Sequence, residues 1–340
     1  MDAKITKTRL SRMLSYDWVK MVGFVVVAIV VWSLIFTMTA TRITPAQQFT
    51  VFNYAGNVSF SSTNFYDSYE KAFRNGVFSY EVIETNDNDL TVSEDMVNTL
   101  LEARLATDEG DVIFAANVND PDSATVNEET GETTYTTYMQ KFVSGWYYYL
   151  ADLDPESENG YFKQMEKYLG QYYTDWMDET TLNEQAVEDA FRARIKKNKD
   201  KRFKKAAEIE QGVADEIERI EKYRDALENF YSYVDKGYVT FTQVEIPSYT
   251  EGEEPQLKTL GVNLCPNTET MGELKNIACY QTTVVETDED GKETEKIRVT
   301  AENMNVLFFD LKGVEEGFQY ESLLYVNYVI ESSCSELTAK

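Results

Sequence analysis

The chain begins with a long apolar run and then changes to alternating apolar and polar positions. Residues 21–40 carry no charge and are almost wholly apolar. A helix of this length, at about 1.5 Å per residue, spans about 30 Å, the thickness of the hydrocarbon core of a bilayer. We therefore predict a transmembrane helix at 21–41, preceded by a cytoplasmic basic tail at 1–20.

The charges that flank this run predict its orientation. Asp2 and Asp17 are the only acidic residues before it, whereas five basic residues precede it: Lys4, Lys7, Arg9, Arg12 and Lys20. The positive-inside rule places the N-terminus in the cytoplasm and the chain from about residue 43 outside the cell. We therefore predict a single-pass protein of the cell membrane with an extracellular C-terminal domain.

A cleaved signal peptide is the alternative interpretation of the apolar run. The apolar region of a signal peptide is typically only about 7–15 residues long, although residues 39–41 would be tolerable as a cleavage site. The length of the run favours an uncleaved anchor. No cysteine stands directly after the run, so a lipid anchor is not expected.

Beyond residue 46, strands and helices are predicted to alternate. The predicted elements are a strand at 47–56, a helix at 62–76, a strand at 77–85, a helix at 91–110 and a strand at 111–116. Period-two alternation or a short apolar run marks each strand, and helical spacing behind a Ser or Thr cap marks each helix. The order β-α-β-α-β is typical of an α/β fold with a doubly wound parallel sheet.

A doubly wound sheet predicts where a ligand would bind. If the first and third strands are neighbours and the second lies outside them, the winding reverses between them and a crevice forms beyond their carboxyl ends. Tyr54 ends the first strand, and Asn117 and Asp120 follow the third, so these three are candidate ligand-binding residues. A surface loop rich in Asn and Asp is the alternative interpretation of 117–122, and it is the commoner structure.

The middle of the chain is predicted to be a helical insertion. A β-hairpin at 123–138 precedes a helical region at about 139–235 that is crowded with aromatic residues. Aromatic faces can stack on sugar rings and hold polar ligands, so Trp146 and Trp176 are candidate ligand contacts. Packing in the core is the alternative, and it is the commoner role of aromatic residues at helical spacing.

Two features of residues 192–234 predict contact with a partner protein or surface. Nine of the fourteen residues from 192 to 205 are basic, which suits a lipid surface, an anionic wall polymer or an acidic partner. The helix predicted at 204–234 carries an apolar row with a 3.5-residue period, which includes Ile209, Val213, Ile217, Ile220 and Leu227. A solvated basic face and packing of the row within the domain are the alternatives.

The last hundred residues are predicted to be β-rich with a closing helix. Strands are predicted at 237–246, 257–264, 278–287, 292–301 and 304–311, and a helix at 320–333. Three cysteines lie in this part, and their spacing fits no zinc or redox motif. Cys265 and Cys279 could form a disulfide outside the cell, with Cys334 left over. Three semi-buried thiols are an equally good interpretation.

Composition excludes several classes of function. The chain contains no histidine, which removes Ser-His-Asp and Cys-His catalysis and most zinc sites. Two of the 59 acidic and six of the 32 basic residues lie up to Arg42, which leaves a net charge of about −31 beyond it. Such a field repels nucleic acid. We predict no enzyme, no cofactor, no metal site and no nucleic-acid partner.

Several segments resemble the extracellular solute-binding protein superfamily, which has the type II periplasmic-binding-protein fold. The similar segments are FTVFNYAG, VFSYEVIET and LLEARLATDEGDVIFAA near the start of the outer chain, and NVLFFDL and YESLLYVNYVIESS near its end. The resemblance implies a two-lobed domain that closes on a ligand and delivers it to an importer. The chain departs from the family in one respect: a predicted membrane helix takes the place of the usual lipid-anchored cysteine.

These observations lead to two hypotheses about function. The domain at 46–340, with a first lobe at about 46–120 and part of 240–340, would capture or sense a small polar ligand such as a sugar or peptide without catalysis. Alternatively, it is a membrane-tethered scaffold or assembly protein of the cell envelope that kept the fold without the ligand, and acts through 192–234.

Overall fold

In the computed structural model, the described residues are 7–39, 47–54, 76–80, 82, 84–90, 94–127, 130–248, 254–287 and 293–338. The chain divides into two compact units, Met1–Thr44 and Pro45–Lys340, each of which is described by itself. The helix predicted at 62–76 lies almost wholly outside the described residues.

The described residues of the first unit form one long helix, α1 (Lys7–Thr39). Its stretch Trp18–Phe36 has a mean hydropathy of 2.5, and none of it is buried. Transfer of aliphatic and aromatic side chains from water into an apolar environment is favourable by about 25 cal/mol for each Å² of apolar surface. The chain therefore has an N-terminal helix that is long and apolar enough to cross a membrane.

The second unit contains the strands and the remaining helices. The strands are β1 (Gln48–Tyr54), β2 (Glu84–Asp89), β3 (Val112–Ala116), β4 (Thr125–Val126), β5 (Thr133–Thr134), β6 (Thr240–Ile246), β7 (Gln256–Asn263), β8 (Tyr280–Thr287), β9 (Glu293–Thr300) and β10 (Met304–Phe308). The helices are α2 (Glu94–Leu105), α3 (Tyr138–Trp146), α4 (Tyr161–Leu169), α5 (Glu184–Asn198), α6 (Ala206–Asp235), α7 (Thr268–Met271), α8 (Glu321–Ser333) and α9 (Ser335–Thr338). The unit is therefore mixed α/β.

The main sheet has the strand order β2-β1-β3-β10-β7-β6. β1 pairs in parallel with β2 on one side and with β3 on the other, as predicted for the first three strands. The prediction of an all-parallel sheet is wrong, because β10, β7 and β6 are antiparallel to their neighbours. Parallel neighbours need a crossover of about a dozen residues or more, and the connection 247–255 between β6 and β7 is too short for one.

The second strand lies later in the chain than predicted. The apolar pattern at 77–85 predicted a strand, but β2 has the polar sequence ETNDND. Phe78 and Val82 are buried against the sheet outside any strand, so their apolar character reflects burial rather than strand pairing. β2 is the outermost strand of the sheet, where polar residues are well tolerated.

Helices cover both faces of the sheet. Alternation along β3 places Phe114 on the face covered by α4, α6 and α8, and Ile113 on the face covered by α2 and α3. Each fully buried side chain of this size contributes about 1.5–3 kcal/mol. The other described strands form only the ribbons β4–β5 and β8–β9, so the two-lobed arrangement stays a prediction.

Candidate functional site

The predicted crevice lies at the carboxyl ends of β1 and β3. Tyr54, the last residue of β1, is half-buried, and its ring centroid lies 5.6 Å from that of Phe142 on α3. Asn117 follows β3, and its N–H donates to the carbonyl oxygen of Asn303 at 2.9 Å. Both residues are therefore at the predicted edge of the sheet, and both are already in contact with neighbouring elements.

Asp120 is occupied by contacts within the domain. Its side chain is 2% exposed and accepts hydrogen bonds from Lys141 Nζ at 2.6 Å and from the Asp122 N–H at 3.0 Å. Burial by itself would raise the pKa of Asp120, but the hydrogen bonds outweigh it and hold the pKa below its ordinary value. The carboxylate thus caps the turn after β3 and fastens it to α3.

The two tryptophans predicted as candidate ligand contacts do not share a site, and both pack on the core. Trp146 is 8% exposed and lies in the core between α3 and the sheet, with its ring centroid 6.1 Å from that of Tyr149. Trp176 packs on the core of the opposite face, near Tyr231. Helical spacing predicted that these residues lie on apolar faces, but the sheet between the two faces separates them.

An asparagine cluster at this edge was missed by sequence reasoning. Asn263 on β7 donates through Nδ2 to Asn303 Oδ1 at 3.1 Å, and Asn305 on β10 donates to the Asn303 carbonyl oxygen at 2.9 Å. Asn303 has a φ of 54°, a conformation that asparagine tolerates better than most residues. The sequence Asn-Met-Asn before an apolar run was the available signal. The cluster joins the turn before β10 to β7 and to the end of β3.

A second polar cluster is buried between α6 and the segments that precede β2 and α8. Arg219 of α6 is 1% exposed, and its guanidinium donates to the Tyr168 hydroxyl at 3.0 Å and to the Glu316 carbonyl oxygen at 3.2 Å. The same group lies 4.8 Å from the ring centroid of Tyr80 and 5.3 Å from that of Tyr223. Cation–π contacts of this kind favour a desolvated guanidinium.

Two buried carboxylates balance the charge of this cluster. Glu216 contacts Arg219 and accepts two hydrogen bonds from Arg194 of α5, at 2.8 and 2.6 Å. Glu321 at the start of α8 accepts from the Tyr223 hydroxyl at 2.6 Å. Burial alone would raise the pKa of Glu216, but the two arginines lower it, whereas burial raises the pKa of Glu321. These contacts join α5, α6 and α8.

A buried ion pair fastens the opposite edge of the sheet. Lys312 Nζ lies 2.6 Å from Asp111 Oδ1 and donates to the carbonyl oxygen of Gln48 at 2.6 Å. The N–H of Thr50 donates to Asp111 Oδ2 at 2.8 Å. Burial raises the pKa of Asp111, against the opposing effect of Lys312. The pair holds the starts of β1 and β3 to the segment after β10.

The predicted partner region forms a helical hairpin made of α5, the turn 199–205 and α6. The apolar row of α6 is largely an internal face, which corrects its assignment to a partner helix. Ile220 and Leu227 are fully buried in the core of the domain, Ile217 packs against that core, and Ile209 and Val213 are half-buried. Packing against α4, α5 and α8 produces the same 3.5-residue period, because the apolar residues of a helix lie on the face that contacts its neighbours.

The lysines of the basic run are exposed at the end of this hairpin. Arg194 is instead drawn inward to Glu216, and Arg192 pairs with Glu188 at 2.6 Å. The remaining basic side chains surround the turn between the helices: Lys196, Lys197, Lys199, Lys201, Arg202, Lys204 and Lys205. The basic run is thus partly internal and partly a cationic surface.

The cysteines are free, so the predicted Cys265–Cys279 disulfide is not formed. All three thiols, including that of Cys334, are buried. Burial raises the pKa of Cys265 to about 11, which disfavours the reactive thiolate. The alternative interpretation, three small buried side chains, describes the structure. Among the described residues, no group of three Cys, Asp or Glu side chains could hold a metal ion.

Comparison with known proteins identifies no relative. No family model, no curated protein and no solved structure matches the chain. The resemblance to solute-binding proteins therefore stays a prediction. A proposal about function has to rest on the geometry of the domain.

Proposed function

We propose that this chain is a non-catalytic, single-pass membrane protein whose outer domain is a scaffold of the cell envelope rather than a solute receptor. The state of Asp120 favours a scaffold over a solute receptor. Asp120, the charged residue at the predicted crevice, is 2% exposed and already neutralised by Lys141 at 2.6 Å. A carboxylate that is satisfied inside the protein has little to offer a ligand.

The proposed anchor is α1, with the N-terminus in the cytoplasm and residues 45–340 outside. It is supported by the length and hydropathy of Trp18–Phe36 and by the excess of basic residues before it. Because the three native thiols are buried, an engineered cysteine is the main target of a membrane-impermeant maleimide. In intact cells we expect labelling of N198C and not of T8C. The reverse pattern would invert the orientation, and a chain found in the soluble fraction would remove the anchor.

The scaffold proposal is tested by thermal unfolding of the full chain in detergent. A scaffold predicts that sugars, amino acids and short peptides leave the Tm unchanged. It also predicts that D120N is destabilised without any ligand, since a hydrogen bond to a charged group contributes about 1.5–3 kcal/mol. The control is E132Q, an exposed carboxylate on the loop beside β5, which should leave the Tm unchanged. A D120N variant as stable as E132Q would contradict the structural role of Asp120.

Solute capture is the second candidate function. The order β2-β1-β3 favours it, because this order creates a reversal of winding at the carboxyl ends of β1 and β3. Tyr54 and Asn117 lie at that reversal. A compound that raises the Tm in proportion to the logarithm of its concentration, with the effect lost in Y54A, would favour capture over the scaffold.

A further inference from the structure

The end of the α5–α6 hairpin differs in charge from the rest of the outer domain. We call residues 196–205 the hairpin tip. Of the nine basic residues at 192–205, seven lie in the tip, and Asp200 is the only acidic residue of the run. The run has a net charge of +8, so the other residues beyond Arg42 carry about −39. The tip therefore has the opposite sign of charge to the net charge of the remainder, which repels anionic surfaces.

Most lysines of the tip are not used by the fold. Arg202 pairs with Asp200 at 2.7 Å, and Lys205 pairs with Glu208 at 3.0 Å. The other five lysines are exposed and have no acidic partner in the described part of the chain: Lys196, Lys197, Lys199, Lys201 and Lys204. Unpaired lysines that carry their ammonium groups into water are available for an external anion.

The tip is nevertheless held in a fixed shape. The Phe203 ring packs edge-on against Phe191 of α5, with centroids 5.0 Å apart. Gly212 allows this contact, because a Cβ there would lie 2.5 Å from Phe191 Cζ and 2.6 Å from Phe203 Cε1. Lys199 closes α5 in the left-handed conformation, with a φ of 50°. The contact of Phe203 with Phe191 and the close approach of both rings to Gly212 therefore pack the cationic turn against α5 and α6.

Helix stability accounts for only part of this charge. Lys196 and Lys197 lie in the last turn of α5, where cations are favourable. Lys204 and Lys205 precede the first turn of α6, where cations are unfavourable. Glu208 offsets this by accepting the N–H groups of both residues, at 3.1 and 2.9 Å, and its pKa is lowered to about 2. The fold therefore carries lysines at a position where they work against the helix.

The chemistry of the tip suits a lipid surface better than a protein partner. Protein interfaces are depleted in lysine and rely on aromatic or apolar side chains at their centre. The large apolar side chain of the tip, Phe203, is directed inward onto Phe191. Flexible ammonium groups instead suit the diffuse phosphate layer of lipid headgroups, where each lysine raises partitioning about fivefold.

We propose that the hairpin tip docks on the phosphate headgroups of an anionic bilayer. This inference rests on the membrane anchor proposed above, which keeps the outer domain beside a bilayer at all times. Repulsion between the acidic remainder and the bilayer falls off over about 8 Å at physiological salt. Docking would thus bring the lysines of the tip, rather than the acidic remainder, into contact with the headgroups.

The test uses the full chain in nanodiscs made of phosphatidylcholine alone or of equal parts phosphatidylcholine and phosphatidylglycerol. A fluorophore is attached to N198C, which is possible because the native thiols are buried, and a quencher is carried on the lipid headgroup. We expect at least about tenfold stronger quenching in the anionic nanodiscs, and loss of that difference in 1 M salt. The same label at K236C, at the other end of α6, is the positional control.

Two charge variants complete the test. Replacement of the five unpaired lysines of the tip by Gln should abolish the effect of lipid charge on N198C quenching. Replacement of Lys236 and Lys275, which lie outside the tip, should leave it intact. Quenching that is equal in neutral and anionic lipid, or unchanged by the five substitutions, would overturn the inference. So would tip-dependent binding of inorganic polyphosphate without any approach to the bilayer, which would assign the tip to a phosphate polymer.

A failure of the proposed membrane anchor would be distinguishable from a failure of the docking of the tip. A chain that does not enter nanodiscs would contradict the anchor, and the tip would then be tested with the soluble chain by flotation with vesicles of the same two compositions. Flotation with anionic vesicles that the five substitutions reduce at least about tenfold would support the tip without the anchor. Equal recovery with both vesicles would refute it.

Discussion

Glu216 is the carboxylate that joins α5 to α6. It is 5% exposed, accepts two hydrogen bonds from Arg194 and contacts Arg219, which is 1% exposed. In E216Q both guanidinium groups lose their negative partner, although the amide oxygen can still accept a hydrogen bond. Removal of one member of a buried ion pair costs about 3–5 kcal/mol. We expect E216Q to lower the free energy of unfolding by about 3 kcal/mol, the lower end of this range, because the rings around Arg219 still stabilise the charge of its guanidinium.

This loss is measurable by urea unfolding of the full chain in mild detergent, followed through the fluorescence of Trp146 and Trp176. With a slope of about 3 kcal/mol per M, the midpoint should fall by about 1 M. The matched control is E218Q, on the same helix, where Glu218 is exposed and pairs with Lys222 at 3.0 Å. Exposed pairs contribute about 0–1 kcal/mol, so its midpoint should move little.

The same substitution should change the response to acid. The pKa of Glu216 is lowered in the folded chain, so its stabilising effect is present above its ordinary pKa of 4.5 and is lost as the pH falls through the lower folded value. E216Q should therefore lose less stability than the wild type on acidification below pH 4.5. If E216Q and E218Q unfold at the same midpoint, or if their acid responses are equal, the buried cluster does not stabilise the hairpin as argued.

Two further substitutions test the packing of the domain. K312M should lower the free energy of unfolding by about 3–5 kcal/mol, because it leaves the carboxylate of Asp111 buried and unpaired; a midpoint equal to the wild type in the same urea assay would contradict this. G212A should cost about 1–3 kcal/mol, because its Cβ would lie 2.5 Å from Phe191 Cζ. The control G272A has nothing within 4 Å of the added Cβ, and equal stability of the two alanine variants would refute the close fit.

Local pattern predicted most of the described elements of the second unit, Pro45–Lys340. The helix predicted at 204–234 is α6, and the strand predicted at 111–116 is β3, because helical and strand periods follow directly from which residues must be buried. The predicted crevice depended on the condition that β1 and β3 are neighbours with β2 outside them, and the observed order β2-β1-β3 meets this condition. β2 was misplaced because Phe78 and Val82 are buried without strand pairing, and a polar edge strand has no apolar pattern to reveal it.

The candidate site was less predictable. The position of Tyr54 and Asn117 at one edge of the sheet followed from the strand order. The neutralisation of Asp120 by Lys141 did not, since the two residues are twenty-one positions apart and meet only when α3 packs on the sheet. Trp146 and Trp176 looked alike in the sequence, but they lie on opposite faces.

The sequence by itself determined the apolar character of α1, the acidic balance of the chain beyond it with its one basic run, and the absence of histidine. These are properties of residue type and spacing, and no folding is needed to state them. Only the tertiary structure decided which charges are internal and which are free. Arg194 and Lys196 are two residues apart in one basic run, yet α6 approaches one side of α5 and places Glu216 beside Arg194 and not beside Lys196. Burial and pairing depend on such neighbours from distant parts of the chain, which a local pattern does not contain.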